Sequence, residues 1–241
     1  MSQTTVIPVP PAILLPTALG AAFPVRRVYC VGRNYAEHAR EMGADPDREP
    51  PFFFSKPADA LLAAGADMPY PPGTDELHHE IELVAALRSG GSDIAVEDAP
   101  RHVWGYGVGL DMTRRDIQAA AKKQGRPWDM AKGFDHSAPI GLLVPAADIE
   151  EAGRGAITLR VNGGIRQQGE LGDMIWPLAE TIMFLSRLVR LEAGDLIFTG
   201  TPSGVGPVKR GDLLEGHIHG VGEVKVRIVD IQSSIRSDGT G

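Results

Sequence analysis

Residues 78–87 read HHEIELVAAL, and residues 104–113 read WGYGVGLDMT. The first stretch alternates between polar and apolar residues well enough to predict a β-strand with two distinct faces. The second is apolar and rich in glycine, which is typical of a strand that meets close neighbours. Further strand signals follow outward along the chain, at residues 26–32, 51–57, 157–170, 195–200, 212–220 and 223–232.

Three helices of modest length are predicted among these strands, at residues 35–42, 114–124 and 177–191. Asn34 is a plausible N-cap for the first helix. Thr113 followed by Asp116 resembles a capping box for the second helix, which Gly125 closes. Strands and helices do not alternate regularly, which argues against a Rossmann or TIM architecture. The prediction is a β-rich α+β fold.

The chain divides into three predicted segments. Residues 1–24 are rich in Pro and Ala and are expected to form an extended arm. One domain is expected over residues 25–232. Residues 233–241 are expected to be a disordered tail.

The bulk composition excludes several classes of protein. The 241 residues contain 24 Lys and Arg against 31 Asp and Glu, a net charge of -7, which argues against a general nucleic-acid binder. The single cysteine, Cys30, allows no intramolecular disulfide, and a reducing cytoplasmic setting is expected. Neither a signal peptide nor an apolar run long enough to span a bilayer is found, so no membrane partner is expected.

Three carboxylates form a candidate metal site. Glu80 and Glu82 are two residues apart on a predicted strand, so their side chains share one face. Asp111 ends an apolar run, where an unpaired carboxylate would be costly to bury. Three such oxygens without cysteine suit a hard cation, namely Mg²⁺, Mn²⁺ or Ca²⁺. The alternative is a solvated strand face, with Asp111 forming a salt bridge to Arg114 or Arg115.

Several other polar residues are candidates for catalysis or binding. Lys132 follows a helix beside aromatic residues and could stabilise an oxyanion, although a surface lysine is the commoner case. His38 and Glu41 are three apart on the first helix and could activate water, or form only a surface contact. Arg33 and Asn34 precede that helix and could reach an anionic ligand. Residues 199–207, TGTPSGVGP, could cradle a carboxylate or form a plain β-turn.

Taken in order, six segments resemble the fumarylacetoacetate hydrolase family, over residues 26–230. They are YCVGRNYAEHAREMG, PPFFFSKP, HHEIEL, GYGVGLDMTRRDIQ, GRPWDMAKGFDHSAPIG and IFTGTPSGVGPVKRGD. The chain is most similar to the short acylpyruvases of that family, and among them to fumarylpyruvate hydrolases. The resemblance implies a mixed β-roll for the catalytic domain, and a homodimer.

The resemblance also implies roles for nine residues. It makes Glu80, Glu82 and Asp111 the metal ligands, Lys132 the lysine near the scissile carbonyl, and His38 with Glu41 the dyad that activates water. Substrate contacts are implied for Arg33, Gln118 and Thr201.

The expected function is therefore metal-dependent hydrolysis of the C–C bond of a small anionic acylpyruvate, with fumarylpyruvate giving fumarate and pyruvate in aromatic catabolism. Two rivals stay open. One is an oxaloacetate-type decarboxylase or isomerase of the same family, which shares the metal but consumes no water. The other is a metal-stabilised binding module without catalysis.

Overall fold

The computed structural model of the chain describes residues 4–41 and 49–230, without the side chains of residues 39–41. The predicted tail at residues 233–241 lies outside the described residues. The strands are β1 Ile13–Pro16, β2 Ala22–Val25, β3 Arg27–Gly32, β4 Phe52–Lys56, β5 Leu61–Ala63, β6 Met68–Pro69, β7 Leu77–His79, β8 Ile81–Leu87, β9 Val103–Leu110, β10 Thr113–Arg114, β11 Ala138–Ile140, β12 Val144–Pro145, β13 Ala156–Val161, β14 Gly164–Glu170, β15 Asp195–Phe198, β16 Gly206–Pro207, β17 Leu213–Ile218 and β18 Gly222–Val229. The helices are α1 Ala36–Glu41, α2 Ala99–His102, α3 Arg115–Gln124, α4 Asp129–Lys132 and α5 Leu178–Leu188.

Strands dominate the molecule and form mixed sheets, as predicted from the sequence. An eight-stranded sheet has the order β4-β3-β15-β8-β9-β11-β5, with β12 pairing to β9. A five-stranded sheet has the order β14-β13-β17-β18-β6, and a three-stranded ribbon joins β10, β7 and β16. Most pairs are antiparallel, but β15 runs parallel to β3, β11 to β5, and β18 to β6. None of the helices in the described ranges combines the length and apolar character that a membrane span needs.

Alternation along β8 and β9 fixes where the polar residues lie. The odd-numbered residues of β8, together with Tyr106, Val108 and Leu110 of β9, face the main core between the two large sheets. The opposite face of β9 carries Gly105, Gly107 and Gly109 after Trp104, which packs on the second core. A Cβ on Gly109 would lie 2.6 Å from atoms of Val84 and Phe198. Asp111 continues the parity of these glycines. Because Asp111 N donates to Glu80 O at 2.8 Å, the two acidic residues are neighbours across the ladder.

A second, smaller core lies on that opposite face of the large sheet. Val84, Cys30 and Phe198 are buried in it, and the β1–β2 hairpin covers it with Leu15 and Phe23. Part of the predicted extended arm is therefore a packed antiparallel hairpin, while the boundary at residue 24 stays a prediction. Cys30 is fully buried in this core, and burial raises the pKa of its thiol well above the ordinary value.

Local signals in the sequence identify turns better than helix starts. Asn162 and Gly163 both have positive φ and connect β13 to β14, as the Asn-Gly pair predicts. Gly125 ends α3 in the left-handed conformation. The prediction of a capping box is wrong. The side chain of Thr113 does not cap α3, and the carboxylate of Asp116 accepts hydrogen bonds from Thr74 Oγ1 and Asp75 N.

Candidate active site

A narrow cleft opens beside the ends of β3, β8 and β9. It brings together eight of the nine residues predicted from the sequence, which are Arg33, His38, Glu80, Glu82, Asp111, Gln118, Lys132 and Thr201. The ninth, Glu41, is the last residue of α1, and its side chain lies outside the described residues. Segments that are far apart in the chain therefore meet at one concave site.

The three carboxylates form a tight buried cluster. One oxygen from each of Glu80, Glu82 and Asp111 lies within 4.8 Å of the others. Their residues are 5%, 1% and 0% exposed, respectively. Three carboxylate oxygens at this spacing suit a hard divalent cation such as Mg²⁺ or Mn²⁺. The solvated strand face that was the alternative is excluded by this burial.

Two buried lysines brace the cluster. Lys132, at the end of α4, donates to Glu80 Oε2 and to Asp111 Oδ2, both at 2.7 Å. Lys56, at the end of β4, donates to Met112 O and Ser137 Oγ and to the carbonyl of Lys132. Asp111 therefore pairs with lysines and not with Arg114 or Arg115, which were the partners considered from the sequence.

The charges of the cluster shift one another strongly. Burial alone would lower the pKa of Lys132, but Asp111 and Glu80 raise it above the ordinary value, so the side chain is an ammonium. Burial would raise the pKa of Glu80, yet Lys132 and Arg115 bring it below its ordinary value. For Glu82, burial together with Asp111 and Glu80 raises the pKa well above the ordinary value. The three carboxylates face two lysines and Arg115, and among the described residues Glu82 is the carboxylate that none of these cations contacts.

The surroundings of one oxygen of the cluster, Asp111 Oδ1, indicate whether a divalent cation would fit there. Lys56 Nζ lies 2.8 Å from Asp111 Oδ1. Its N–H groups are already directed at three other acceptors, namely Met112 O, Lys132 O and Ser137 Oγ. Asp111 Oδ1 is therefore a buried oxygen that is paired in charge with Lys56 but accepts no well-directed hydrogen bond among the described residues. Its lone pairs are therefore not used by an aligned donor, which fits direct coordination to a divalent cation.

Helix α3 extends the site toward solvent along one face. Arg115, Gln118 and Lys122 are spaced i, i+3 and i+7, so they lie along the same side of the helix. Arg115 forms an ion pair with Glu80 and donates to Gln118 Oε1 at 2.6 Å. The helix thus supplies both a cation for the acidic cluster and a line of polar groups into the cleft.

The loop after β15 forms the opposite wall and is fixed by a buried glutamine. Gln167 Nε2 donates to Thr201 Oγ1 at 2.8 Å and to Pro202 O at 2.9 Å. Its Oε1 accepts from Ile81 N at 3.1 Å and lies 2.9 Å from His79 Nδ1. Because Thr201 Oγ1 accepts from Gln167, its own proton is available to donate into the cleft.

Gly200 allows this loop to approach the acidic cluster closely. Its N–H donates to Glu82 Oε2 at 2.7 Å, and its φ is +94°. A Cβ at this position would lie 2.6 Å from Cβ of Asn34. Asn34, considered as an N-cap, instead bridges the carbonyls of Trp176 and Thr199 and accepts from Trp176 N. It fixes the segment that precedes α1.

The α1 segment carries the remaining candidates. His38 is buried, with 6% exposure, and lines the same cleft as the carboxylates. Arg33 is exposed, has a positive φ of 58°, and stacks over Phe52 with 5.6 Å between its guanidinium carbon and the ring centroid. A non-glycine residue in this conformation is uncommon and is often found at functional sites.

Four residues of this site or its support were not identified from the sequence: Lys56, Arg115, Lys122 and Gln167. Lys56 could have been found, since a lysine in the apolar stretch PFFFSKP needs a partner for the same reason as Asp111 does. Arg115 was considered only as a salt-bridge partner. Gln167 lies on a strand of mixed polarity, and only the tertiary structure shows its contacts.

Comparison with known proteins agrees with this geometry. The family model described as fumarylacetoacetate (FAA) hydrolase C-terminal matches residues 27–229. The chain belongs to the fumarylacetoacetate hydrolase family. Its mixed β-roll is therefore the fold that the sequence resemblance implied.

Two kinds of relative stand out within the family. A crystal structure of fumarylpyruvate hydrolase from Pseudomonas aeruginosa, in complex with Mn²⁺ and pyruvate, is 53% identical. The structural match covers 94% of the present chain and 100% of the fumarylpyruvate hydrolase chain, with a TM-score of 0.91. The mitochondrial oxaloacetate tautomerase of Bos taurus is 41% identical over 203 residues, 84% of this chain and 91% of that protein. The mitochondrial oxaloacetate decarboxylase of Dictyostelium discoideum is also 41% identical, over 81% of this chain and 90% of that protein.

Proposed function

We propose that the protein is a divalent-metal-dependent hydrolase that cleaves the C–C bond of an acylpyruvate, with fumarylpyruvate giving fumarate and pyruvate. The observation that carries the proposal is a buried juxtaposition, in one cleft, of three carboxylates, the Lys132 ammonium and His38. The similarity to a fumarylpyruvate hydrolase crystallised with Mn²⁺ and pyruvate supports the choice of substrate.

The acidic cluster would hold the metal. Glu80, Glu82 and Asp111 are its proposed ligands, and a divalent cation bound there would neutralise the negative charge of a pyruvoyl group. The surrounding residues would orient that group. Arg115 and Gln118 line one wall of the cleft, and Thr201 can donate its hydroxyl proton from the other.

Water activation is assigned to His38, with Glu41 orienting its ring. His38 would take a proton from a water molecule as that water adds to the distal carbonyl carbon. The Lys132 ammonium would donate to the oxygen of this carbonyl as it becomes negative. The bond between this carbon and the methylene then breaks. Its electron pair stays with the pyruvate fragment, which takes up a proton, and the oxygen from water stays with the fumarate.

A second candidate function is tautomerisation or decarboxylation of oxaloacetate. It is favoured by the curated relatives of that name at 41% identity. Such a reaction would use the same carboxylate cluster, but it would need no water activated by His38. The homodimer, the cytoplasmic location and a role in aromatic catabolism stay predictions.

A two-substrate assay tests the proposal. Purified protein with Mg²⁺ is given fumarylpyruvate, whose absorbance decay and pyruvate release are followed, and in parallel oxaloacetate. We expect fumarylpyruvate to be consumed with one pyruvate formed per molecule. Turnover of oxaloacetate alone would replace the first function by the second. Turnover of neither, across a panel of acylpyruvates, would leave the binding module as the function.

A further inference from the structure

The cations of the cleft fall into two groups. Lys56, Lys132 and Arg115 contact the acidic cluster directly. Lys122 and Arg33 lie nearer the mouth, and among the described residues neither forms an ion pair with a carboxylate. Lys122 is nevertheless half-buried, and Arg33 lines the same cleft. The inner end is therefore balanced in charge, and the outer end is positive.

An aromatic pair holds the two outer cations at the mouth. Lys122 Nζ lies 5.2 Å from the ring centroid of Trp128, and the guanidinium of Arg33 lies over Phe52. The rings of Phe52 and Trp128 meet edge to face, with centroids 5.3 Å apart. Two residues that are 89 positions apart in the chain are thus supported by one aromatic unit. Burial, followed by the charges of Arg33 and Arg115, lowers the pKa of Lys122, and together these effects outweigh the opposing charge of Glu80.

We infer that Arg33 and Lys122 form a subsite for a second carboxylate, at the end of the substrate distant from the acidic cluster. The inference rests on the proposed acylpyruvate substrate, whose pyruvoyl end would occupy the inner part of the cleft. Like cations that have no ion-pair partner among the described residues favour an anionic ligand, and the flat faces of Phe52 and Trp128 suit a planar unsaturated chain. The substrate class is therefore a dicarboxylic acylpyruvate, and not a neutral-tailed one such as acetylpyruvate.

The test uses two ligands that differ only at the distal end and cannot be cleaved. These are 2-oxoheptanedioate, which has a terminal carboxylate, and 2-oxoheptanoate, which has a terminal methyl group. Binding of each to the Mg²⁺-loaded protein is measured by calorimetry. We expect the dicarboxylate to bind about tenfold tighter or more, the range for a charge-assisted hydrogen bond.

Matched variants on α3 show which residue provides the preference. Lys122→Gln should remove most of the preference for the dicarboxylate and leave the affinity for 2-oxoheptanoate unchanged. Lys123→Gln removes the neighbouring exposed lysine and should retain the preference. Equal binding of both ligands by the unmodified protein would overturn the inference, as would an unchanged preference in Lys122→Gln.

The same experiment separates this inference from the proposed function, because neither ligand has a bond that the enzyme would cleave. A protein that prefers the dicarboxylate but releases no pyruvate from fumarylpyruvate would refute the hydrolase and keep the subsite. A protein that releases pyruvate from fumarylpyruvate but binds both ligands equally would keep the hydrolase and refute the subsite.

Discussion

The cleft has two halves that the fold supports in different ways. The inner half consists of Lys56, Glu80, Glu82, Asp111 and Lys132, which lie at strand ends or on the short α4 and are almost fully buried. The helical half consists of Arg33, His38 and Glu41, on one segment that follows β3 and includes the six-residue α1. In the inner half Lys56, Lys132, Glu80 and Asp111 are paired with one another, and Glu82 accepts a hydrogen bond from Gly200 N. In the helical half the proposed catalytic residues lie on a short helix, and Asn34 attaches the segment before this helix to the rest of the fold.

This difference separates stability from activity. Removing a charge from the inner half leaves its partner buried without compensation, which costs stability as well as function. Removing His38 deletes a proposed base but none of the charges that brace the sheet. Mutations in the two halves should therefore have different signatures.

Asp111→Ala should have the largest effect. Lys56 and Lys132 would lose their shared carboxylate, so we expect a destabilisation of about 3–5 kcal/mol. Loss of metal binding and of nearly all activity should accompany it. Denaturant unfolding of the metal-free protein measures the first effect, and calorimetric Mg²⁺ titration the second.

The matched control for this variant is Asp135→Ala, at an exposed position. It should change the free energy of unfolding by less than about 0.5 kcal/mol. If Asp111→Ala were as stable as this control in the absence of metal, the coupling of charges in the inner half would be disproved.

His38→Ala should lower hydrolysis by two to four orders of magnitude, the usual range for a general base. Metal affinity and melting temperature should change little, because His38 is not among the proposed ligands. Glu41→Gln should lose less activity, since an amide can still orient the ring. Glu37→Ala, at an exposed position on the same helix, is the control and should remain active.

The activity of the His38→Ala variant on oxaloacetate provides a second test of the role of His38. If the enzyme acts on oxaloacetate, that activity should survive His38→Ala better than hydrolysis does, because it consumes no attacking water. Undiminished hydrolysis in His38→Ala, or loss of its metal, would refute the role assigned to the helical half.

A smaller effect is expected at His78, which lies at the edge of the inner half. Its burial should make the free energy of unfolding depend on pH. Burial, with Arg115 and His79, lowers the pKa of His78 to about 4, whereas an unfolded histidine titrates near about 6.5. Between these values the unfolded chain binds a proton that the folded chain does not. Stability should therefore be retained above pH 6.5 and should fall as the pH drops toward 4.

His78→Gln should reduce the loss of unfolding free energy between pH 7 and pH 5, measured in denaturant at constant Mg²⁺. His217→Gln, at an exposed position on β17, is the matched control and should follow the unmodified protein. An identical pH profile for His78→Gln would show that the burial of His78 has no part in acid sensitivity.

The two halves also differ in how far the sequence predicts them. Asp111 could be identified because a carboxylate that ends an apolar strand needs a partner, and strand parity places Glu80 and Glu82 on one face. The identity of that partner could not be predicted, since Lys56 and Lys132 reach Asp111 only through long-range packing. The contacts of Gln167 and the positive outer end of the cleft depend on tertiary structure in the same way. The spacing of His38 and Glu41 gave a hypothesis that still awaits its kinetic test.

The central claim is that the inner half holds a divalent cation on which C–C cleavage depends. The most direct measurement titrates Mg²⁺ into EDTA-treated protein, following in parallel the melting temperature and the release of fumarate and pyruvate from fumarylpyruvate. We predict that both signals rise together to one saturation point, because binding to the folded state alone stabilises it. Both should be absent in Glu80→Ala. Full product release in EDTA, without any metal added back, would contradict the account.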